Sequence, residues 1–238
     1  MTKIALTALA ETLPSTVPFV GPETQERAVG REFVARLGAN ESVFGPSPRA
    51  IAAMGHAASE VWKYGDPENY DLRQALAAHH GIDPGHIMVG EGIDGLLSYL
   101  VRLLVEPGTP VVTSKGGYPT FNYHVSGYGG VLHMVPYAAD HEDPATLIAK
   151  ARDVSAKMVY FANPDNPMGS WHNSDAVQAL IDAMPDTTLL VLDEAYVELA
   201  PADTAPVLRP ETENVIRMRT FSKAYGMAGA RVGYAIGP

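Results

Sequence analysis

The sequence contains no cysteine, so neither a disulfide framework nor a cysteine zinc site can hold this chain together, and thiol pairing says nothing about its compartment. It has no run approaching the roughly eighteen unbroken apolar residues that a membrane helix needs. Positive charge is scarce: 17 Lys and Arg against 27 Asp and Glu give a formal charge of -10. That balance argues against a nucleic-acid partner, whose phosphates need a basic stripe, although a local pocket can still hold an anion. The eight histidines show no metal-binding spacing; His79-His80 closes a helical pattern and His172 sits in a loop. Internal repeats and low-complexity tracts are absent too. Met1 to Ala10 is weakly apolar but is broken by Glu11 and Pro14, which makes it an N-terminal arm rather than a signal peptide and leaves the cytoplasm as the expected location. The two tryptophans, Trp62 and Trp171, are expected to be packing residues.

What is present is an ordinary globular balance. The chain has 238 residues, 46% hydrophobic and 18% charged, enough apolar surface for one sizeable core. Residues 1 to about 48 are rich in Pro and Gly and end in Asn40 to Pro48, a run that continues no helix or central strand and is expected to lie as an arm over the rest. Beyond it, apolar runs of strand length recur at Ile87-Val89, Pro110-Thr113, Val131-Val135, Met158-Ala162, Leu189-Leu192, Val215-Met218 and Val232-Ile236. Helical spacing separates them, most clearly at Leu96, Leu97, Leu100, Val101, Leu103 and Leu104, which form one apolar face. Strands alternating with helices predict an α/β fold, a mostly parallel sheet between helices, because parallel neighbours need crossover connections.

In such sheets ligands sit outside the carboxyl ends of the strands. Polar and glycine-rich residues follow the apolar runs there: Gly90-Glu91-Gly92-Ile93-Asp94, Asn163 to Gly169, Asp193-Glu194-Ala195-Tyr196 and Thr220-Phe221-Ser222-Lys223. Each alone has a plain structural explanation. The first is equally a tight turn before a helix cap, or a place where small residues let helix-start N–H groups approach a phosphate. The second is equally a proline-stiffened turn. Asp193 closes a fully apolar strand, where a carboxylate is either solvated at the strand end or pulled from water and in want of a cation.

Taken in order, with Ser222-Lys223 followed eight positions later by Arg231, these pieces closely resemble the fold-type I aminotransferases that use pyridoxal phosphate (PLP). The resemblance covers roughly residues 36 to 238. It is most specific at Asn40 to Pro48, at Asn163 to Gly169, at Asp193 to Tyr196 and at Ser222, Lys223 and Arg231. The Asn40 to Pro48 run and the stretch from Tyr64 to Asp66-Pro67 are most similar to the histidinol-phosphate aminotransferase branch. The resemblance implies the large domain of an aspartate aminotransferase-like fold over residues 49-238, with residues 1-48 as an arm and part of a small domain. It implies Lys223 as the lysine that carries the cofactor as a Schiff base and shuttles the substrate's α proton, with a pKa lowered by cations such as Arg231. By the same resemblance Asp193 is expected to be the partner of the pyridinium nitrogen, Asn166 and Tyr196 to hold the phenolic oxygen, and Gly92, Ile93, Asp94, Thr220, Ser222 and Arg231 to hold the phosphate. Phe121 is expected to stack on the pyridine ring, with Tyr118 and Tyr123 as alternatives. Tyr64 is expected to reach the phosphate of a neighbouring subunit, which makes the protein a homodimer.

The implied reaction moves an amino group between an L-amino acid or amino-alcohol phosphate and a 2-oxo acid. A PLP-dependent decarboxylase or lyase of the same fold, and a non-catalytic PLP-binding module, are the alternatives. The chain departs from the resemblance at Ser42-Val43-Phe44, where close relatives often have Asn-Pro-aromatic. It also stops at Pro238, where relatives continue with a small C-terminal domain bearing the arginine for the substrate carboxylate. A natural chain running past Pro238 is therefore expected; if it does not, Arg31 and Arg36 are the nearby substitutes.

Overall fold

The computed structural model describes residues 4–15 and 20–238; the remaining parts of the N-terminal arm lie outside the described residues. Eight α-helices lie among these residues: α1 Ala8–Thr12, α2 Pro22–Val29, α3 Pro48–Ala57, α4 Tyr70–His80, α5 Gly92–Leu104, α6 Pro119–Gly127, α7 Pro144–Asp153 and α8 Ser174–Ala183. Seven strands, β1 Ile87–Gly90, β2 Pro110–Ser114, β3 Val131–Val135, β4 Met158–Ala162, β5 Leu189–Asp193, β6 Val215–Thr220 and β7 Gly233–Ile236, form one sheet in the order β1-β7-β6-β5-β4-β2-β3. The pairs β2–β3, β2–β4, β4–β5 and β5–β6 are parallel, and β7 runs antiparallel between β6 and β1. This is the expected α/β architecture with one reversed strand.

Strand alternation divides the core in two. On one face Val111, Met158, Tyr160, Val191 and Met218 pack under α5 and α6 with Leu96, Leu97, Val101, Phe121 and Val125. On the other, Val112, Val159, Phe161, Leu190 and Leu192 meet α7 and α8 through Leu147, Ala151, Val177 and Leu180. Both faces being covered explains why β4 and β5 read as unbroken apolar runs. Each such buried side chain contributes about 1.5 to 3 kcal/mol relative to exposure. The helices start where the sequence places caps: Asp143 accepts from Ala145 N–H ahead of Pro144, and Asn173 accepts from Ala176 N–H.

Two expectations are corrected here. Leu103 does not share the apolar face of α5 but is 77% exposed, because the face is narrower than its leucine content suggests. Trp62 is no packing residue, being 78% exposed. The arm itself carries α1 and α2, ahead of the Asn40 to Pro48 run. Residues 51–70 are all exposed, and packing into the core begins at α4, whose Leu76 and Ala77 meet Ile87, Tyr234 and Ile236. No helix among the described residues is long and apolar enough to cross a membrane.

Candidate active site

The carboxyl ends of β1, β2, β4, β5 and β6 share one edge of the sheet, and the reversed β7 brings its amino end to the same edge: Gly233 pairs with both Gly90 and Thr220. A cavity of about 950 Å³ opens there. Its walls carry Ile93 and Asp94 from the start of α5, Tyr118 after β2, Asn166 after β4, Asp193 and Tyr196 at and after β5, Thr220, Ser222 and Lys223 at and after β6, and Arg231 before β7. Residues separated by more than a hundred positions therefore meet because every connection returns to the same edge.

The end of the cavity formed by α5, β6 and Arg231 is shaped for close backbone approach. Gly92 has φ 75°, and a Cβ there would lie 2.5 Å from Arg231 Nη2. A Cβ on Gly233 would lie 2.8 Å from the Gly92 carbonyl carbon and 2.9 Å from Ile93 N, so only glycines permit this helix start to sit against β7. The Thr220 hydroxyl lies 2.9 Å from Ser222 Oγ and accepts from Ser222 N–H at 3.1 Å. Arg231 stands 4.0 Å from Asp94, and the Tyr118 hydroxyl donates to Asp94 at 3.0 Å.

At the centre, Asp193 is buried and accepts from the Tyr160 hydroxyl at 2.6 Å and from Ala195 N–H at 2.9 Å. Burial pushes its carboxyl up to about 6, with these two hydrogen bonds opposing and the nearby Asp94 and Glu194 adding to the rise. Lys223 Nζ donates to the carbonyls of Ala39 and Asn40 at 3.3 Å and lies 5.5 Å from the Tyr196 ring centroid. Its ammonium is held below the usual lysine range chiefly by burial, against Asp193, Glu41 and Asp94, which favour the charge; Arg231 is a lesser influence than expected. The Asn40 amide donates to the Tyr196 hydroxyl at 3.0 Å. The arm thus reaches the site directly.

Of the twelve predicted site residues, nine line the cavity and Gly92 lies just behind its wall. The other two do not. Phe121 is fully buried and stacks on Tyr160, with centroids 4.6 Å apart; because α6 starts at Pro119, its first turn aims Phe121 at the sheet with Val125, and Tyr118, just before the helix, takes the cavity wall. Tyr123 is not on the wall. Tyr64 is fully exposed, on the segment outside the core. Arg36 is no spare cation, since Glu41, at 2.6 Å, and Glu23 both hold it.

Gly38, Ala39, Asn40 and Glu41 line the cavity without having been assigned to it, and Tyr160 orients Asp193 from below. A signal for Tyr160 existed: a tyrosine inside an apolar strand needs a partner for its hydroxyl.

Residues 33–238 match the family described as aminotransferase class I and II. The chain is 39% identical over 223 residues to the histidinol-phosphate aminotransferase of Anaeromyxobacter sp. strain Fw109-5, a match covering 92% of this chain and 61% of that one. The crystal structure of histidinol-phosphate aminotransferase from Sinorhizobium meliloti in complex with pyridoxal-5'-phosphate superposes with a TM-score of 0.94 at 58% identity, over 98% of this chain and 62% of that one. L-threonine-O-3-phosphate decarboxylase from Porphyromonas gingivalis shares the fold, with a TM-score of 0.64 at 23% identity over 79% of this chain and 58% of that one. The chain spans about three fifths of the length of these relatives.

Proposed function

The chain belongs to the class I and II aminotransferases, and on that premise we propose that it forms the cofactor-holding part of a cytoplasmic PLP-dependent aminotransferase of the histidinol-phosphate type. Residues 49–238 are its PLP-binding large domain, and residues 1–48 its arm and part of a small domain. The donor is an L-amino acid or amino-alcohol phosphate and the acceptor a 2-oxo acid. The observation that carries this reading is the gathering of Lys223, Asp193 and Arg231 on the walls of one cavity.

The residues fit the group. The glycine-lined helix start, the Thr220 and Ser222 hydroxyls and Arg231 supply the donors and fixed charge that a phosphate needs. Among the described residues Asp193 has two neutral donors and no ion pair, and a ring N–H cation supplies the charge it lacks. When bound, PLP supplies an aldehyde that condenses with amines and a ring that withdraws electrons from the substrate α carbon. Lys223, whose ammonium form burial disfavours, is the nucleophile toward that aldehyde and then the base that takes the α proton at Nζ. Asp193 stays ionised beside the ring nitrogen, oriented by Tyr160 and Ala195 N–H. Asn166 and Tyr196 hold the phenolic oxygen, and Tyr118 covers the ring. In a homodimer, Tyr64 reaches the partner's phosphate; its full exposure on the segment outside the core is compatible with that role.

A decarboxylase with the same fold differs in which bond to the α carbon is broken, and Lys223 and Asp193 serve both chemistries. The test is made on the longest polypeptide the gene encodes. Incubated with PLP and then reduced with borohydride, it is expected to carry a pyridoxyl group on the peptide containing Lys223; a separate, unreduced sample with PLP is expected to convert a 2-oxo acid to its amino acid when L-amino acids and amino-alcohol phosphates are offered as donors. A pyridoxyl group on another lysine overturns the site. Carbon dioxide release without amino transfer overturns the reaction, and labelling without turnover leaves the non-catalytic binding module.

A further inference from the structure

We propose that Glu142 is a positioning residue: its carboxyl shares a proton with Asp165 beneath the cavity and so fixes the Asn163 to Gly169 loop that presents Asn166. The inference rests on the reading above for what Asn166 meets, but not for the proton or the loop.

Glu142 precedes the cap of α7 and is only 2% exposed. Its two oxygens join the ends of two strands, accepting from the Ser114 hydroxyl of β2 at 2.5 Å and from Ala162 N–H of β4 at 2.8 Å. Its backbone carbonyl lies 2.8 Å from His172 Nε2. Asp165, also buried, accepts through Oδ2 from the Tyr137 hydroxyl at 3.0 Å and from Met168 N–H at 3.4 Å. Its Oδ1 is buried with no donor, although the Asp165 side chain is within hydrogen-bonding reach of Glu142. Tyr137, Tyr160, Asp165, His172 and Asp193 are the titratable groups that face Glu142, and among the described residues no lysine or arginine pairs with either carboxylate.

Two ionised carboxylates in contact in so dry a place repel strongly, and one proton between them removes the repulsion and supplies the missing donor. The proton belongs to Glu142. Burial raises both carboxyls: it pushes that of Glu142 up to about 8, against the opposing bonds from Ser114 and Ala162, and raises that of Asp165 less, because Tyr137, backbone N–H groups and Glu142 all favour its charged form. The proton therefore persists at neutral pH and leaves as pH rises through about 8.

The consequence for the site follows from the loop's own bonds. Gly169 N–H donates to the Asp165 carbonyl at 3.0 Å, and Asp165 N–H to the Ser170 carbonyl at 2.9 Å, so the loop closes around Asp165. The Asn166 amide makes no side-chain hydrogen bond to the described residues, and its place on the cavity wall is set by the backbone that Asp165 anchors. Asp165 in turn is held from below by Glu142.

The experiment compares the full-length protein with Glu142→Gln, which keeps a donor and an acceptor but cannot titrate, and Glu142→Leu, which keeps neither. Cofactor-free protein is measured first. The infrared C=O band of a protonated carboxyl should be present at neutral pH, disappear in Glu142→Gln, and fade in the parent as pH rises through about 8. Once exchange rates are corrected for their intrinsic pH dependence, the amides of Met168 and Gly169 should lose protection from hydrogen exchange over the same range in the parent but not in Glu142→Gln. In Glu142→Leu they should exchange about tenfold faster at neutral pH, and PLP affinity should fall by a similar factor, the scale of one lost charge-assisted hydrogen bond. If Glu142→Leu does not fold, the comparison of the parent with Glu142→Gln decides alone. A protonated-carboxyl band that survives Glu142→Gln, or loop protection that ignores pH in the parent, overturns the proposal. Unchanged PLP affinity despite a loosened loop overturns the role assigned to Asn166. Failure of the parent to bind PLP overturns the function proposed above and leaves the infrared and exchange results standing.

Discussion

Gly226 closes the turn that begins at Lys223, its N–H donating to the Lys223 carbonyl at 3.0 Å. Its φ is 66°, and a Cβ there would lie 2.2 Å from the Gly45 carbonyl oxygen and 2.9 Å from Pro46 N. Gly226→Ala therefore meets two separate penalties. An L-residue held in the left-handed region costs about 1 to 2 kcal/mol, and forcing an added carbon into packed backbone costs about 1 to 3 kcal/mol. If both fell on global stability, a total of about 2 to 5 kcal/mol would lower the melting midpoint by about 4 to 20 °C for a domain of this size. They will not fall there entirely. The arm around Gly45 is largely exposed, so lifting it away relieves the clash at less cost than unfolding the sheet. The expected outcome is a drop in the midpoint near the lower end of that range, about 4 °C, together with faster proteolysis of the arm and weaker PLP binding, because Ala39 and Asn40 leave Lys223 and Tyr196. Gly81→Ala isolates the conformational penalty: Gly81 has φ 68°, nothing lies within 4 Å of its Cβ position, and it caps α4 away from the cavity. Differential calorimetry, limited proteolysis and PLP titration of both variants make the comparison. The reasoning is refuted if Gly226→Ala behaves like Gly81→Ala in all three.

Two further outcomes are expected. Asp193→Asn should leave the cofactor-free midpoint unchanged or raised above pH about 6, because it removes a buried charge that has no ion pair. It should slow α-proton removal by about 3 kcal/mol, roughly a hundredfold, in single-turnover measurements; an unchanged rate sinks the assignment. Hybrid dimers of a Lys223→Ala chain with a Tyr64→Phe chain should regain activity through one intact site. Activity no better than that of the parent variants, after proven subunit exchange, removes Tyr64 from the partner's site.

The sheet was legible in the sequence because buried parallel strands must be apolar throughout, and β4 begins and ends at the residues its composition predicts. β6 was cut short at Met218, whereas the strand continues to Thr220. Arg219 looked like a strand end because a charge inside a sheet is legible only together with its partner, and that partner, Glu194, belongs to another strand's connection. The same blindness hid Glu142: its environment is made by Ser114 at the end of β2, Ala162 at the end of β4 and Asp165 just after β4, all distant from it in sequence. The Phe121 expectation failed for a local reason. The residues after β2 offer three aromatics within six positions, and only the start of α6 at Pro119 decides which of them faces the cavity.

Asp193 and Glu194 show how one strand end separates chemistry from scaffolding. Both are buried, adjacent and acidic, and burial alone would raise both carboxyls. Alternation turns Asp193 to the cavity, where Tyr160 and a backbone N–H are its donors, and turns Glu194 away to Arg217 at 2.5 Å and Arg219 at 2.9 Å. For Glu194 the two guanidinium groups outweigh desolvation and hold the carboxyl below its usual range; removing one member of such a buried cluster costs about 3 to 5 kcal/mol. Asp193, left without that compensation, remains raised to about 6. A buried carboxylate lacking a cation is unfavourable for the isolated fold, and it becomes favourable only when a positively charged group enters the cavity. The Glu194 cluster on β6 anchors the strand end against that cost, so that the neighbouring carboxylate is free to serve a ligand.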